Sequence, residues 1–218
     1  MTDAPSWRTC DPWLIVDLGR MRRVLSFAPH RPGLVDARHL LWRQVRDADL
    51  TPGFDACDWL AAELSRIGHA GDVAMMTSRD LGHLQQARVG AVTCLATVGL
   101  GNAERVGHHR DTPRKGWGTI NLALLIEDGL TDAAMIEALT IAAEARTAAI
   151  LDCGLRIGSG FATGTGTDCI ALACDSGPKT FAGKHTRLGR DLGRATYDAV
   201  HRGAQAWIGV HGNRLNDA

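Results

Sequence analysis

The sequence predicts an α+β fold: a single domain with a mixed or mainly antiparallel sheet packed against three to four helices. Three observations carry this expectation. Apolar runs of strand character follow one another with no helix between them, so a regular βαβ alternation is absent. The stretch TINLALLI, 119–126, is almost continuously apolar after Asn121, as a strand covered on both faces reads. Residues 131–152 carry a long helical pattern. The 218 residues suffice for one sizeable core. No tandem repeat, low-complexity tract or linker divides them, so residues 1–218 are expected to form one unit of about six strands.

Each element has its own local signal. In WLIVDLGRMRRVLSFA, 13–28, two apolar runs flank Gly19-Arg20, which suggests a hairpin. Pro29-His30-Arg31-Pro32-Gly33 is a loop by composition. Residues 55–67 place Cys57, Leu60, Ala61, Leu64 and Ile67 at helical spacing, with Asp55 as N-cap and Gly68 as stop. DVAMMT, 72–77, reads as a strand, and RVGAVTCLATV, 88–98, as another that ends at Gly99 and Gly101. The charged, aperiodic stretch 102–118 is a long loop, and long loops in compact domains are often functional.

Thr131 caps the helix 131–152, and Asp132 favours the positive end of its dipole. Met135, Ile136, Leu139, Ala142, Ala143, Arg146, Ala149 and Ile150 share one broad face, and Gly154 stops the helix. DCIALAC, 168–174, is a further apolar strand. Lys184 or Thr186 opens a last helix that runs to about residue 204.

Composition excludes several classes of function. Lysine plus arginine equals aspartate plus glutamate, 24 each, so nothing in the net charge argues for nucleic acid or an anionic membrane. The six cysteines form no C-x-x-C, which points to reduced thiols, a cytoplasmic location and no structural zinc. The first residues show no basic region before an apolar core, so no secretory signal is expected. No apolar run approaches the roughly 18 residues that a membrane helix requires.

Four stretches carry chemistry. ATGTGTD, 162–168, lies just before a buried strand. The backbone N–H groups of Gly164, Gly166 and Thr167 could converge on negative charge. Thr163, Thr165 and Thr167 offer hydroxyls, and Asp168 a base or an orienting acceptor. The competing reading is a tight turn that needs glycine, with threonines satisfying its backbone. The loop is neither a Walker A nor a Rossmann fingerprint, because no lysine follows and it precedes a strand. In AGKHTRLGR, 182–190, His185 sits near a helix N-terminus, where the dipole favours the neutral imidazole that a general base needs. Thr186 would cap that helix. In GTIN, 118–121, Asn121 could donate to a developing oxyanion. HHRD, 108–111, reads as a solvated pair of histidines, since strand neighbours point oppositely. Ser26, at the end of a strand, is a further small nucleophile candidate.

These stretches, with LSFAP, ATVGLGNA (96–103) and EARTAAILD (144–152), occur in an order that resembles the adenosylcobinamide amidohydrolase family, from about residue 22 to 204. The segment HRPGLVDARHL departs from the family's glycine-rich pattern. The resemblance implies hydrolysis of the amide joining the corrin ring's propionyl side chain to aminopropanol. Adenosylcobyric acid is then formed in corrinoid salvage or remodelling. The small-molecule corrinoid brings its own cobalt, so no cofactor and no protein-bound catalytic metal is expected. His185 or Asp168 would take the acid/base role, with Gly164, Gly166 and Asn121 around the oxyanion. Thr163, Thr119, Ser26, Lys184 and Thr186 would contact substrate. The nucleophile is a water held by Asp168 and His185, or the hydroxyl of Thr165 or Thr167; water is preferred because an internal threonine lacks a free α-amine.

Overall fold

The computed structural model describes residues 4–46, 55–108 and 117–215. An opening hairpin joins β1 (Ser6–Cys10) to β2 (Trp13–Ser26), and β2 returns antiparallel against β3 (Gly33–Gln44). Helix α1 (Ala56–Arg66) follows, capped by Asp55, whose carboxylate accepts from the N–H groups of Cys57 and Asp58. After β4 (Val73–Thr77) come the hairpin β5 (Gln85–Val89) and β6 (Val92–Val98), the short β7 (Ala103–Glu104), and β8 (Ile120–Leu130). Helix α2 (Asp132–Asp152), three two-residue strands, β12 (Cys169–Ser176) and helix α3 (Arg187–His211) complete the chain. The short strands are β9 (Arg156–Ile157), β10 (Gly160–Phe161) and β11 (Gly164–Thr165).

The α+β expectation holds. The main sheet has the order β4-β3-β2-β12-β8-β6-β5, with β1 beside the first half of β2. Only β3–β4 and β8–β12 pair in parallel; every other pair is antiparallel. Helices α2 and α3 cover one face, burying Ile120, Leu122, Leu124, Ile170 and Leu172 beneath Met135, Ala142, Leu192 and Ala199. On the other face Leu14, Val16, Leu40, Trp42 and Met75 share a core with Leu95, Ala123, Leu125 and Ala171. Residues from both halves of the sheet meet in that one cluster, so the sheet curls on itself. Helix α1 closes the outside of β2–β4 through Leu60 and Leu64 on Trp13, Ile15 and Leu41.

Three expectations change, and one strand appears where the sequence gives no signal. Gly19-Arg20 is not a hairpin turn. It is a bulge within one 14-residue strand: Asp17 pairs with His39 and Arg22 with Ala37, so residues 18–21 oppose Arg38 alone. Gly19 takes φ +80° there, and a bulge needs a glycine for the same reason as a tight turn. The run 88–98 is two strands, not one, because Gly90 turns the chain at φ +53°. Residues 33–44 form a full strand although Asp36, Arg38 and His39 break its alternation. On α2, Ile136 is 59% exposed, and the buried positions include Ala134, Ala138 and Ile141, which face α3 and the sheet.

Candidate active site

The loop 162–168 folds around its own carboxylate. Thr165 donates to Asp168 twice, from its backbone N at 3.1 Å and from Oγ1 at 2.6 Å. The N–H of Ile120, at the start of β8, donates to Asp168 Oδ1 at 3.2 Å. The Arg146 guanidinium, reaching from the last third of α2, pairs with Oδ2. Three segments far apart in sequence therefore converge on Asp168, whose side chain is only 9% exposed. Burial lowers the Arg146 pKa from its ordinary value, yet an arginine stays charged in any protein. Its Nε is buried and has no hydrogen-bond partner.

The glycines of the loop are required by what lies over them. A Cβ on Gly164 would stand 2.4 Å from Asp168 Oδ2 and 2.6 Å from Arg146 Nη1. One methyl would thus push the ion pair apart. Gly164→Ala is expected to cost roughly 1–3 kcal/mol, as overpacking does. A thermal melt checks it, with a drop of about 2–4 °C per kcal/mol for a chain of this length. Gly166 donates its N–H to the Asn102 carbonyl at 3.1 Å. Of the N–H groups expected to converge on negative charge, that of Gly166 is taken by Asn102 and that of Thr167 by Thr165 Oγ1 at 3.4 Å, while the Thr165 N–H serves Asp168.

The start of β8 forms the floor beside this loop. Thr119 Oγ1 donates to the Thr167 carbonyl at 2.8 Å, with Asn121 Oδ1 also within reach at 3.3 Å. Thr167 Oγ1 donates to the Gly118 carbonyl at 3.1 Å. Asn121 donates Nδ2 to the Met76 carbonyl at 2.6 Å, which ties the edge strand β4 to β8 across the curled sheet. A carbonyl only accepts, so this bond fixes which side of the amide is NH₂ and leaves one further N–H. Gly118 packs on Gly99, with Gly99 donating to the Thr119 carbonyl at 2.9 Å, so the glycines of ATVGLGNA hold this floor in place.

A pocket of about 350 Å³ opens above that floor. Asn121, Thr119, Thr167 and Asp168 lie at its base, and Phe27, Pro29, Met76 and Trp117 form apolar walls. Phe27 and Trp117 are 50% and 49% exposed, so an apolar rim surrounds a polar floor. This is the usual form of a small-molecule site.

The remaining candidates stand elsewhere. Thr163 is buried and stitches the loop to β7, accepting from the Val106 N–H at 2.8 Å. Ser26 is buried at the end of β2, where its Oγ accepts from the Ala28 N–H at 3.4 Å. Thr186 caps α3, accepting from the Gly189 N–H at 2.9 Å. Lys184 pairs with Glu144 of α2. His185 is exposed beside them. Asp168 precedes the first residue of β12, a strand of about 26 Å at the usual rise. His185 follows its last, beyond a connection bound to the far end of β8 and to Glu137 in the first turns of α2. His185 does not line the pocket that Asp168 lines, although its neighbour Lys184 meets Glu144 only two residues before Arg146 on α2. Of the histidine pair, His108 is exposed, and residues 109–111 lie outside the described residues.

Three site residues carried no functional signal in the sequence. Arg146 stands on the broad face predicted for α2 and within EARTAAILD, with no chemical role assigned to it. Ser78, just past β4, lines the pocket, and so does Cys169 at the start of β12. Burial pushes the Cys169 thiol up to about 12, against the pull of the Ile170 N–H. The thiol is therefore protonated at neutral pH, and the thiolate is the reactive form. Alkylation with iodoacetamide at pH 7 is expected to leave Cys169 unmodified and turnover intact, as peptide mass mapping would show.

An ordered set of motifs thus meets at one carboxylate under an apolar-rimmed pocket, the form of a small-molecule site. The chain matches the adenosylcobinamide amidohydrolase family over residues 2–212 and belongs to it. Among curated relatives, an adenosylcobinamide amidohydrolase of Halobacterium salinarum is 33% identical over 126 residues, which cover 54% of this chain and 52% of that one. One from Methanosarcina mazei is 26% identical over 144 residues, 61% of this chain and 66% of the relative. An uncharacterized protein of Methanocaldococcus jannaschii is 34% identical over 92 residues, 40% of this chain and 36% of that one. The matches thus span about one third to two thirds of the relatives' length.

Proposed function

We propose that this protein hydrolyses the amide between the propionyl side chain of the corrin ring and aminopropanol in adenosylcobinamide, releasing adenosylcobyric acid for corrinoid salvage or remodelling in the cytoplasm. The observation that carries the reading is the convergence of GTIN, EARTAAILD and ATGTGTD on Asp168 at the floor of the apolar-rimmed pocket. The pocket takes the amide-bearing side chain, while the flat macrocycle lies against the rim of Phe27 and Trp117.

Amide hydrolysis needs a nucleophile, a proton acceptor that later protonates the amine, and donors for the oxyanion. A water at the floor serves as nucleophile. Asp168 takes its proton and passes it to the departing amine. Thr165 and Arg146 hold that carboxylate in place. The second Asn121 N–H donates to the oxygen as it gains charge, with Thr119 fixing the amide's orientation. No metal at this pocket enters the chemistry, and the cobalt comes with the substrate. Among the described residues, no helix is long and apolar enough to cross a membrane, and the balanced charge gives no footprint for nucleic acid.

The test is incubation of the purified protein with adenosylcobinamide, followed by chromatography and mass analysis. Adenosylcobyric acid and free aminopropanol in equal amounts are expected. Bound but unchanged adenosylcobinamide would instead identify a corrinoid-binding protein without catalysis.

A further inference from the structure

The structure assigns a second, separate site: a transition-metal dication, of the zinc, cobalt or iron(II) type, held by His39, His69 and Asp72. The three residues come from β3 and from the connection between α1 and β4. Strands β3 and β4 run parallel, with Leu40 beside Val73 and Gln44 beside Thr77. Asp72 is therefore level with His39, at the opposite end of β4 from Thr77, which lines the amidase pocket. Five residues of strand separate the two sites, about 16 Å.

Asp72 is buried and rigidly placed. Its Oδ1 accepts from the backbone N–H groups of Arg38 and His39 at 3.1 and 2.8 Å. That leaves Oδ2 for the rings alone: His39 Nδ1 lies 3.0 Å from it, and His69 Nδ1 2.8 Å. The two imidazoles meet edge to face, with centroids 4.8 Å apart. The connection that carries His69 is pinned, its N–H donating to the Leu64 carbonyl at 2.8 Å and its carbonyl accepting from Asp72 N–H at 3.0 Å. Backbone geometry, not chance side-chain rotation, thus brings two nitrogens and one oxygen to a common point, all within 4.8 Å of one another.

The chemistry of the set selects the cation. Two imidazoles and one carboxylate suit zinc, cobalt and iron(II), whereas calcium and magnesium take oxygen ligands. Ligand atoms around tetrahedral zinc, at bonds of about 2.0–2.1 Å, stand roughly 3.3 Å apart. The two nitrogen–oxygen spacings, 3.0 and 2.8 Å, need a few tenths of an ångström of adjustment, and the imidazoles close toward each other by side-chain rotation from within 4.8 Å. Asp17 Oδ1 lies 4.0 Å from His39 Nε2, beyond hydrogen-bond distance, and adds negative charge on the far side of that ring. A pocket of about 350 Å³ lined by Ser6, Trp7, Arg8, Asp17 and both histidines lies beside the cluster and brings solvent to the rings. The cation clips the α1–β4 connection to β3, and it does not take part in the amidase step.

Metal content reads this site without reference to turnover. Chelator-stripped wild-type protein titrated with zinc in a calorimeter is expected to bind one equivalent per chain and to melt at a higher temperature when loaded. His69→Gln, checked for its fold by far-UV circular dichroism, is expected to bind at least about 100-fold more weakly. A second measurement needs no variant. Cobalt(II)-loaded wild type should show weak visible ligand-field bands with no intense near-ultraviolet thiolate charge-transfer band. No uptake by the wild type, unchanged affinity in folded His69→Gln, or a thiolate band placing the metal on cysteine would each overturn the assignment.

Discussion

Asp168→Asn is expected to lower kcat/KM for adenosylcobinamide by about three orders of magnitude, within the range that loss of a general acid–base group produces. The change keeps the size of the side chain and removes its charge and its ability to take a proton. It also turns one acceptor into a donor. Asp168 receives bonds from Thr165 N, Thr165 Oγ1, Ile120 N and Arg146. An amide can present oxygen to one side only, so its NH₂ group meets a donor on the other. Some stability is lost with the activity, and the two must be separated by assaying well below the melting temperature. Substrate affinity should change far less than kcat, because the apolar walls of the pocket supply most of the contact area.

Arg146→Met has the second large effect, and it falls on stability first. The Arg146 side chain is 18% exposed and that of Asp168 9%, so the pair is largely withdrawn from water. Removing one partner of a buried pair typically costs about 3–5 kcal/mol, since the other charge is left uncompensated. Three remaining donors to Asp168 place the expected loss near the lower end, about 3 kcal/mol, or roughly 6–12 °C in Tm. The double variant Arg146→Met with Asp168→Asn removes both charges. It should be less destabilised than the two single losses added together, and the double-mutant cycle gives the coupling energy directly. Additive losses would mean that the pair does not act as a unit.

Much of the fold is legible in the sequence where a local signal is also the physical cause. Asp55, Thr131 and Thr186 cap helices because their side chains accept from the first free N–H groups, and that needs no tertiary knowledge. Strands β8 and β12 read as apolar runs because both of their faces are covered. Where one signal has two causes, the sequence is ambiguous. Gly19 marks a bulge and Gly90 a turn, yet both simply show a positive φ. Strand β3 hides because polar side chains break its alternation, and two of them, Arg38 and His39, serve Asp17 across the sheet and Asp72 beyond it.

The candidate site divides in the same way. Asp168, Thr165, Thr119 and Asn121 lie in motifs whose composition draws attention, and the structure brings them to one floor. Arg146 and Ser78 belong to the same place through long-range contacts that no local pattern encodes. His185 has the local surroundings of a catalytic base, a helix N-terminus beside a threonine cap. Where that N-terminus comes to lie depends on the length of β12 and its connection, and here His185 is not among the residues that line the pocket.

That separation gives the central claim its most direct test, the kcat/KM of His185→Ala set beside that of Asp168→Asn on adenosylcobinamide. With the chemistry at the Asp168 pocket, His185→Ala keeps nearly the whole wild-type rate while Asp168→Asn loses about a thousandfold. A collapse in His185→Ala with turnover preserved in Asp168→Asn would contradict the account and move the reactive centre to the α3 N-terminus.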